Sequence, residues 1–214
     1  MDEINEFALS CMPGVCKEYL SADSVSPDSS DNQLLYTVEY LNSLNLGGGY
    51  PSHRLILKEN APVILLRNLD PRRGLCNGTR LICKVFHSKV IEAEILTGTN
   101  VGARVFIPRI TFIPVALELS FEMRRRQFPL RLAFGMTINK AQGQTMSTLG
   151  LYLATPVFSH GQLYVAMSRV RASNAIKVYA KDCGCEDNGN DRSEGIFIEN
   201  VVYTEVLQMV SRRF

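Results

Sequence analysis

The chain has 214 residues, 46% of them hydrophobic, with 23 Lys/Arg, 21 Asp/Glu and a formal net charge of +2. It contains no apolar run of 18 residues, and its first residues, MDEINEFALS, lack the basic and apolar regions of a signal peptide, so a soluble intracellular protein that meets no membrane is expected. The charge is uneven: residues 1–45 carry one Lys/Arg and eight Asp/Glu, residues 46–181 carry 19 and six, and residues 182–214 carry three and seven.

A length of this size supports a sizeable core, as one large domain or as a domain with an insert. Residues 21–33, SADSVSPDSSDNQ, are Ser/Asp-rich and are expected to be a flexible loop or linker. YTVEYLNSLNL (36–46) has apolar spacing that predicts a short amphipathic helix, stopped by Gly47-Gly48-Gly49 and Pro51. That triple glycine is not a phosphate loop, because no Gly-Lys-Ser/Thr follows it. RLILK (54–58) and PVILLRN (62–68) read as strands joined through Asn60, a residue that tolerates a left-handed turn. TRLICKVF, KVIEAEIL and ARVFIPRI, separated by short turn signals between about 75 and 125, predict a small antiparallel barrel or meander.

Beyond it the texture changes. LRLAF (130–134), LGLYLAT (149–155) and AIKVYA (175–180) read as strands, and SHGQLYVAMSRV (159–170) as a helix with Ser159 as N-cap. Strands alternating with a crossover and a helix imply parallel pairing. The expected fold is α/β, a parallel-sheet domain interrupted by an all-β insert.

Six cysteines stand at positions 11, 16, 76, 83, 183 and 185, with no C-x-x-C pair and with His53, His87 and His160 far apart. They are read as reduced, structurally incidental thiols, and no metal site is expected.

Two stretches carry chemistry. TINKAQGQT (137–145) has few apolar positions and many donors, and its Gly143 lets backbone approach a ligand closely. Following a strand of a parallel sheet, it would lie at the carboxyl rim where ligands bind. With the basic middle of the chain, it points to a polyanion such as nucleic acid. In GQLYVAMSRVR (161–171), Gln162 and Arg169 share a helix face, while Leu163, Met167 and Val170 line a core-facing side. Arg169 either projects into a cleft or pairs with a surface carboxylate. Phe112, Phe121 and Phe128, around Arg124-Arg125-Arg126, either stack bases or plug the seam between barrel and sheet.

LRNLDPRRGLCNGTRL (66–81), IPRITFIP (107–114), RRRQFPLRLAFGMTINKAQGQT (124–145) and VFSHGQLYVAMSRV (157–170), with YLSADSV (19–25) and NVVYTEVL (200–207), resemble the C-terminal half of the petite-integration-frequency (Pif) helicases, relatives of RecD in helicase superfamily 1. The resemblance implies that residues 1–74 and 126–182 form the second of two RecA-like domains. Residues 75–125 would then be its Src-homology-three-like barrel insert, and residues 183–214 an acidic linker and C-terminal segment. It implies single-stranded DNA contacts from Thr137, Asn139, Lys140 and Gln142, nucleotide contacts from Gly143, Gln144 and Arg169, and an arginine-finger role for Arg169. It further implies 5′-to-3′ helicase activity and a nuclear location, with a mitochondrial one as the alternative.

The Walker A pattern is absent, since no Gly-Lys pair occurs anywhere, and no Asp-Glu pair lies in an apolar strand to hold magnesium. Both belong to the first RecA-like domain. ATP and Mg²⁺ are therefore expected only together with that domain, in the same or a separate chain, and this chain alone is expected not to hydrolyse ATP. Ser120, Asn139 and Asn60 depart from the family's usual residues in chemically tolerable ways. An Arg169→Ala change is expected to leave DNA binding alone. The alternative is a helicase relative that serves as a non-catalytic single-strand-binding or partner-docking module.

Overall fold

The structure, a computed structural model, describes residues 2–26, 36–47, 49–114, 121–181, 198 and 200–203. The acidic stretch 186–195, Cys183, Cys185 and residues 204–207 of the NVVYTEVL block lie outside the described residues. The chain divides into two compact units, residues 1–135 and 136–214.

In chain order the first unit comprises α1 (Asp2–Cys11), β1 (Lys17–Leu20), β2 (Ala22–Val25), α2 (Val38–Ser43), β3 (Arg54–Leu57), β4 (Pro62–Leu65), β5 (Arg80–Phe86), β6 (Val90–Ile95), β7 (Arg104–Pro108), β8 (Ile110–Phe112), β9 (Met123–Gln127) and β10 (Leu130–Leu132). All its strand pairs are antiparallel: a five-stranded sheet β10-β4-β5-β6-β7, a three-stranded sheet β2-β9-β8 and the pair β1-β3.

The five-stranded sheet alternates as a half-buried sheet should. Leu81, Cys83, Ile91, Ala93, Ile95 and Ile107 are fully buried, with half-buried or exposed neighbours between them. The same core takes in Tyr19, Leu55 and Leu57 from the β1-β3 pair, and Phe128 and Leu130 from the other end of the segment. The β-rich body is therefore wider than the expected insert at 75–125. Its hydrophobic side is closed by residues from 19 to 130, and a second cluster of Val25, Leu41, Leu46, Phe121 and Met123 packs α2 on the β2-β9-β8 sheet.

The Glu59-Asn60 turn behaves as its sequence predicts. Asn60 has φ of 63°, and its N–H donates to the Cys83 carbonyl at 2.8 Å. Thr37 caps α2, its hydroxyl accepting from the Tyr40 N–H at 3.3 Å.

Two expectations are corrected here. Within the loop expected at residues 21–33, Ala22–Val25 is a strand, β2, paired antiparallel with β9, and residues 27–33 lie outside the described residues. The LRLAF segment is a strand, but β10 pairs antiparallel with β4, Leu130 opposite Leu65 and Leu132 opposite Val63, rather than with a parallel neighbour. The reason is burial: Leu130 completes the first unit's core, and the Ala133 N–H continues the ladder onto the Pro62 carbonyl at 2.9 Å.

The second unit comprises β11 (Leu149–Leu153), α3 (Gln162–Met167) and β12 (Ile176–Ala180). Here the strand–helix–strand reading holds, since β11 and β12 run parallel with Leu151 opposite Val178. Leu151, Leu153, Val157 and Ala166 form the core, with Leu163, Ile176 and Ala180 packed against it. Ser159 does not cap α3. Gly161, at φ of 72°, occupies that position with no side-chain cap bond, and the helix is only six residues long. The left-handed glycine sets the helix start two residues later than Ser159 would. Met167 is exposed rather than core-facing, because the short helix turns Ala166 inward.

Candidate nucleic-acid interface

TINKAQGQT opens the second unit. Ile138–Ala141 forms a single 3-10 turn, begun by Thr137 in extended conformation with no side-chain cap bond. Ala141 is buried and Ile138 packs on the unit's core, which anchors the turn from beneath. Thr137, Asn139, Lys140, Gln142 and Gly143 are exposed, and Gln144 is half-buried. Gly143 has φ of 77° with open space where a Cβ would sit. The glycine is needed for backbone conformation, at about 1–2 kcal/mol for an L-residue, and not to avoid a neighbour.

Arg169 fastens this turn. Its Nη1 donates to the Gln144 carbonyl at 3.2 Å and to the Ala141 carbonyl at 3.5 Å, its Nε to the Val165 carbonyl at 2.7 Å and its Nη2 to the Ser168 hydroxyl at 2.8 Å. The Met146 N–H donates back to the Arg169 carbonyl at 2.8 Å. A helical turn leaves its last carbonyls without intrahelical donors, and a guanidinium fork has enough fixed N–H groups to serve two at once. The Gln144 side-chain amide adds a bond to the Lys140 carbonyl at 3.1 Å. The structure thus joins Arg169, Gln144 and the turn into one bonded assembly whose exposed edge carries Thr137, Asn139, Lys140 and Gln142. Gln162 is used elsewhere, its side-chain oxygen accepting from the Phe158 N–H at 3.1 Å.

The sequence left two readings of the phenylalanines, and burial decides between them. Phe112, Phe121 and Phe128 are 2%, 8% and 0% exposed, so they are core residues and not a base-stacking surface. Phe128 packs edge-on against Tyr19, and the Arg109 guanidinium lies 4.8 Å from its ring centroid. Arg67 sits 5.3 and 5.5 Å from the Tyr50 and Phe112 rings. Arg109 is held below the usual guanidinium range by burial, with the neighbouring Arg126 charge adding to the effect.

Arg125 belongs to the interior as well. It is 1% exposed and bonds Asp23 at 2.7 Å, together with the carbonyls of Pro51, Leu41 and Leu44 at 3.3, 3.1 and 3.3 Å. A three-arginine run in sequence is in space one buried pin between two flanking side chains, of which Arg124 pairs with Glu122 at 3.1 Å.

Sequence reasoning missed the exposed aromatics of the second unit: Tyr152, Phe158, Tyr164 and Tyr179, between 46% and 78% exposed. Tyr152 and Tyr179 face each other across the β11-β12 pair with rings 15° apart and centroids at 5.6 Å. Alternation in IKVYA was the available signal. Among the described residues no cluster of three His, Cys, Asp or Glu suits a metal ion, and no helix is long and apolar enough to cross a membrane.

Residues 39–86 match the family described as DNA helicase Pif1, 2B domain. Over 186 residues the chain is 33% identical to the ATP-dependent DNA helicase PIF1 of Danio rerio, covering 81% of this chain and 25% of that protein. These matches support a Pif1-like helicase C-terminal region. The human ATP-dependent DNA helicase PIF1 is 35% identical over 130 residues, 59% of this chain and 19% of its own length. This Pif1-like chain thus spans a quarter or less of these curated relatives.

In fold it is similar to the Pif1 helicase of Candida albicans, with a TM-score of 0.68, 22% identity, and coverage of 100% of this chain and 47% of that one. A Bacteroides Pif1 crystallised with single-stranded DNA gives 0.67, 20% identity, and coverage of 98% and 42%. These likenesses support a mixed α/β fold. The 2B match, residues 39–86, takes in strands β3, β4 and β5 of the first unit.

Proposed function

We propose that this chain is the strand-gripping portion of an ATP-dependent 5′-to-3′ DNA helicase. Thr137, Asn139, Lys140 and Gln142 contact the sugar-phosphate backbone of single-stranded DNA, contacts that position a strand without reading its sequence. Gly143, Gln144 and Arg169 face the nucleotide, with Arg169 as the arginine finger. ATP and Mg²⁺ are held by a first RecA-like domain, in the same or a separate chain, because these residues include no Gly-Lys phosphate cradle. The observation that carries the reading is the Arg169 fork on the carbonyls of Ala141 and Gln144. An arginine that reached a phosphate would leave those carbonyls, and the turn holding the strand would loosen in the same movement. Nucleotide and strand are thereby linked through one side chain.

The test is fluorescence anisotropy of labelled single-stranded oligonucleotides with this chain across a salt series. Binding should weaken with salt at a log–log slope of about −0.7 per phosphate contact. Lys140→Ala should reduce the slope by about 0.7 and weaken all sequences alike. Binding that is absent, or a Lys140→Ala slope equal to the parent's, contradicts the assignment.

A further inference from the structure

Parallel sheets are ordinarily covered on both faces, and among the described residues the β11-β12 pair is packed on one face only. Its inner face carries the buried Leu151 and Leu153, the partly buried Ile176 and Ala180, and Val178, 40% exposed. Its outer face carries Gly150 and Tyr152 from β11, and Lys177 and Tyr179 from β12, all exposed. Lys181, whose N–H continues the ladder onto the Leu153 carbonyl at 3.0 Å, follows Tyr179 by two residues and is exposed too. Along β12 this face therefore reads Lys, Tyr, Lys at a spacing of roughly 7 Å. The two tyrosine rings lie nearly parallel beside it, 46% and 63% exposed.

Charge indicates the occupant. Residues 136–181 include Lys140, Arg169, Arg171, Lys177 and Lys181 and not one Asp or Glu. A protein partner's interface would call for a more apolar centre with fewer cations. Exposed aromatic rings between cations, on a strand surface, suit a ligand with flat rings on an anionic backbone.

We infer that the outer face of the β11-β12 sheet is a second contact surface for single-stranded nucleic acid, where Tyr152 and Tyr179 stack on bases and Lys177 and Lys181 meet the flanking phosphates. The inference rests on the strand-binding reading above and adds base stacking to the phosphate contacts of the turn. The surface tolerates any base, because every base presents a ring face.

The test compares a poly-dT oligonucleotide with an abasic one of equal length, which keeps the phosphates and removes the rings. The parent chain should prefer the base-bearing strand. A Tyr152→Leu/Tyr179→Leu double variant should lose about tenfold or more on poly-dT, little on the abasic strand, and so lose the preference. The Tyr152→Phe/Tyr179→Phe variant should restore it, because rings and not hydroxyls stack. Lys177→Ala/Lys181→Ala should lower the salt slope by about 1.4 on both strands. A parent preference that survives in the leucine double variant overturns this surface and leaves the turn's role standing. A parent chain that binds neither strand overturns both readings.

Discussion

Between residues 2 and 135 cations meet carboxylates; between 136 and 181 there are none to meet. In the first unit Arg125 bonds Asp23, Arg54 bonds Glu18, Arg104 bonds Glu92, Arg124 bonds Glu122, Arg131 bonds Asp2 and Lys84 bonds Glu94. In the second unit Arg169 turns instead to backbone carbonyls. The difference separates two uses of positive charge that a net charge of +2 conceals. The larger count of arginines lies where they hold strands and helices together. The smaller count lies in a stretch, 136–181, whose sequence has no Asp or Glu, a local excess of positive charge that favours an anion from solution.

The first way to break this comparison is to remove an acid from the first unit. Asp23→Ala leaves the Arg125 guanidinium buried with only the Pro51, Leu41 and Leu44 carbonyls as acceptors. Breaking a buried pair from one side costs about 3–5 kcal/mol. Amide hydrogen exchange should show protection falling in β2, β8, β9 and α2, with β11 and β12 unmoved. A loss below about 1 kcal/mol would mean that water enters the site and that Arg125 is no pin.

The second way is to remove the arginine of the second unit. Arg169→Ala strips the Gln144 carbonyl of its Arg169 donor and leaves the Ala141 carbonyl with the Gln144 N–H alone, at a cost of about 1–3 kcal/mol to the turn. Sequence alone predicted that this change leaves DNA binding alone. The fork alters that expectation: oligonucleotide affinity should fall severalfold, because Thr137, Asn139, Lys140 and Gln142 stand on the backbone it holds. Arg169→Lys should not restore it, since an ammonium presents no planar fork. Parent-like affinity in Arg169→Ala would return the residue to a purely nucleotide-facing role.

What the sequence made legible follows from range. Strands at 54–57, 62–65, 80–86, 90–95, 104–108, 149–153 and 176–180 lie within the runs where local apolar pattern put them. Pairing is non-local and was not legible at β10, whose partner lies 65 residues away at Leu65. Helix α1 went unread because DEINEFALSC buries only Asn5 and Leu9, too little for a periodic signal, and Asn5 is held by bonds to Gly135. The polar turn was legible in composition, yet the Arg169 fork joins residues 25 and 28 positions apart, which spacing rules cannot see. AIKVYA reads as a strand whose alternation puts Lys177 and Tyr179 on one face, and only the structure shows that this face is exposed.

The smallest expected effect sharpens the comparison through core depth. The second unit's core residues remain 3–7% exposed, whereas much of the first unit's core is at 0%, Cys83 included. That burial pushes the Cys83 thiol up from 9.0 to about 12. Between those values the unfolded chain releases the thiol proton and the folded chain keeps it. The folded state then binds more protons, and its stability falls as pH rises. The contribution is fully present below pH 9 and should decline by about 1 kcal/mol from pH 8 to pH 10. Urea titrations of the parent and of Cys83→Ala at those two pH values isolate it, because the alanine variant lacks this slope whatever its packing cost. At pH 8 iodoacetamide should modify the exposed Cys11 and Cys16 and leave Cys83 untouched until urea opens the sheet. Equal pH slopes in the two proteins, or early labelling of Cys83, would show that the first unit's core admits water and that the two units differ in charge alone.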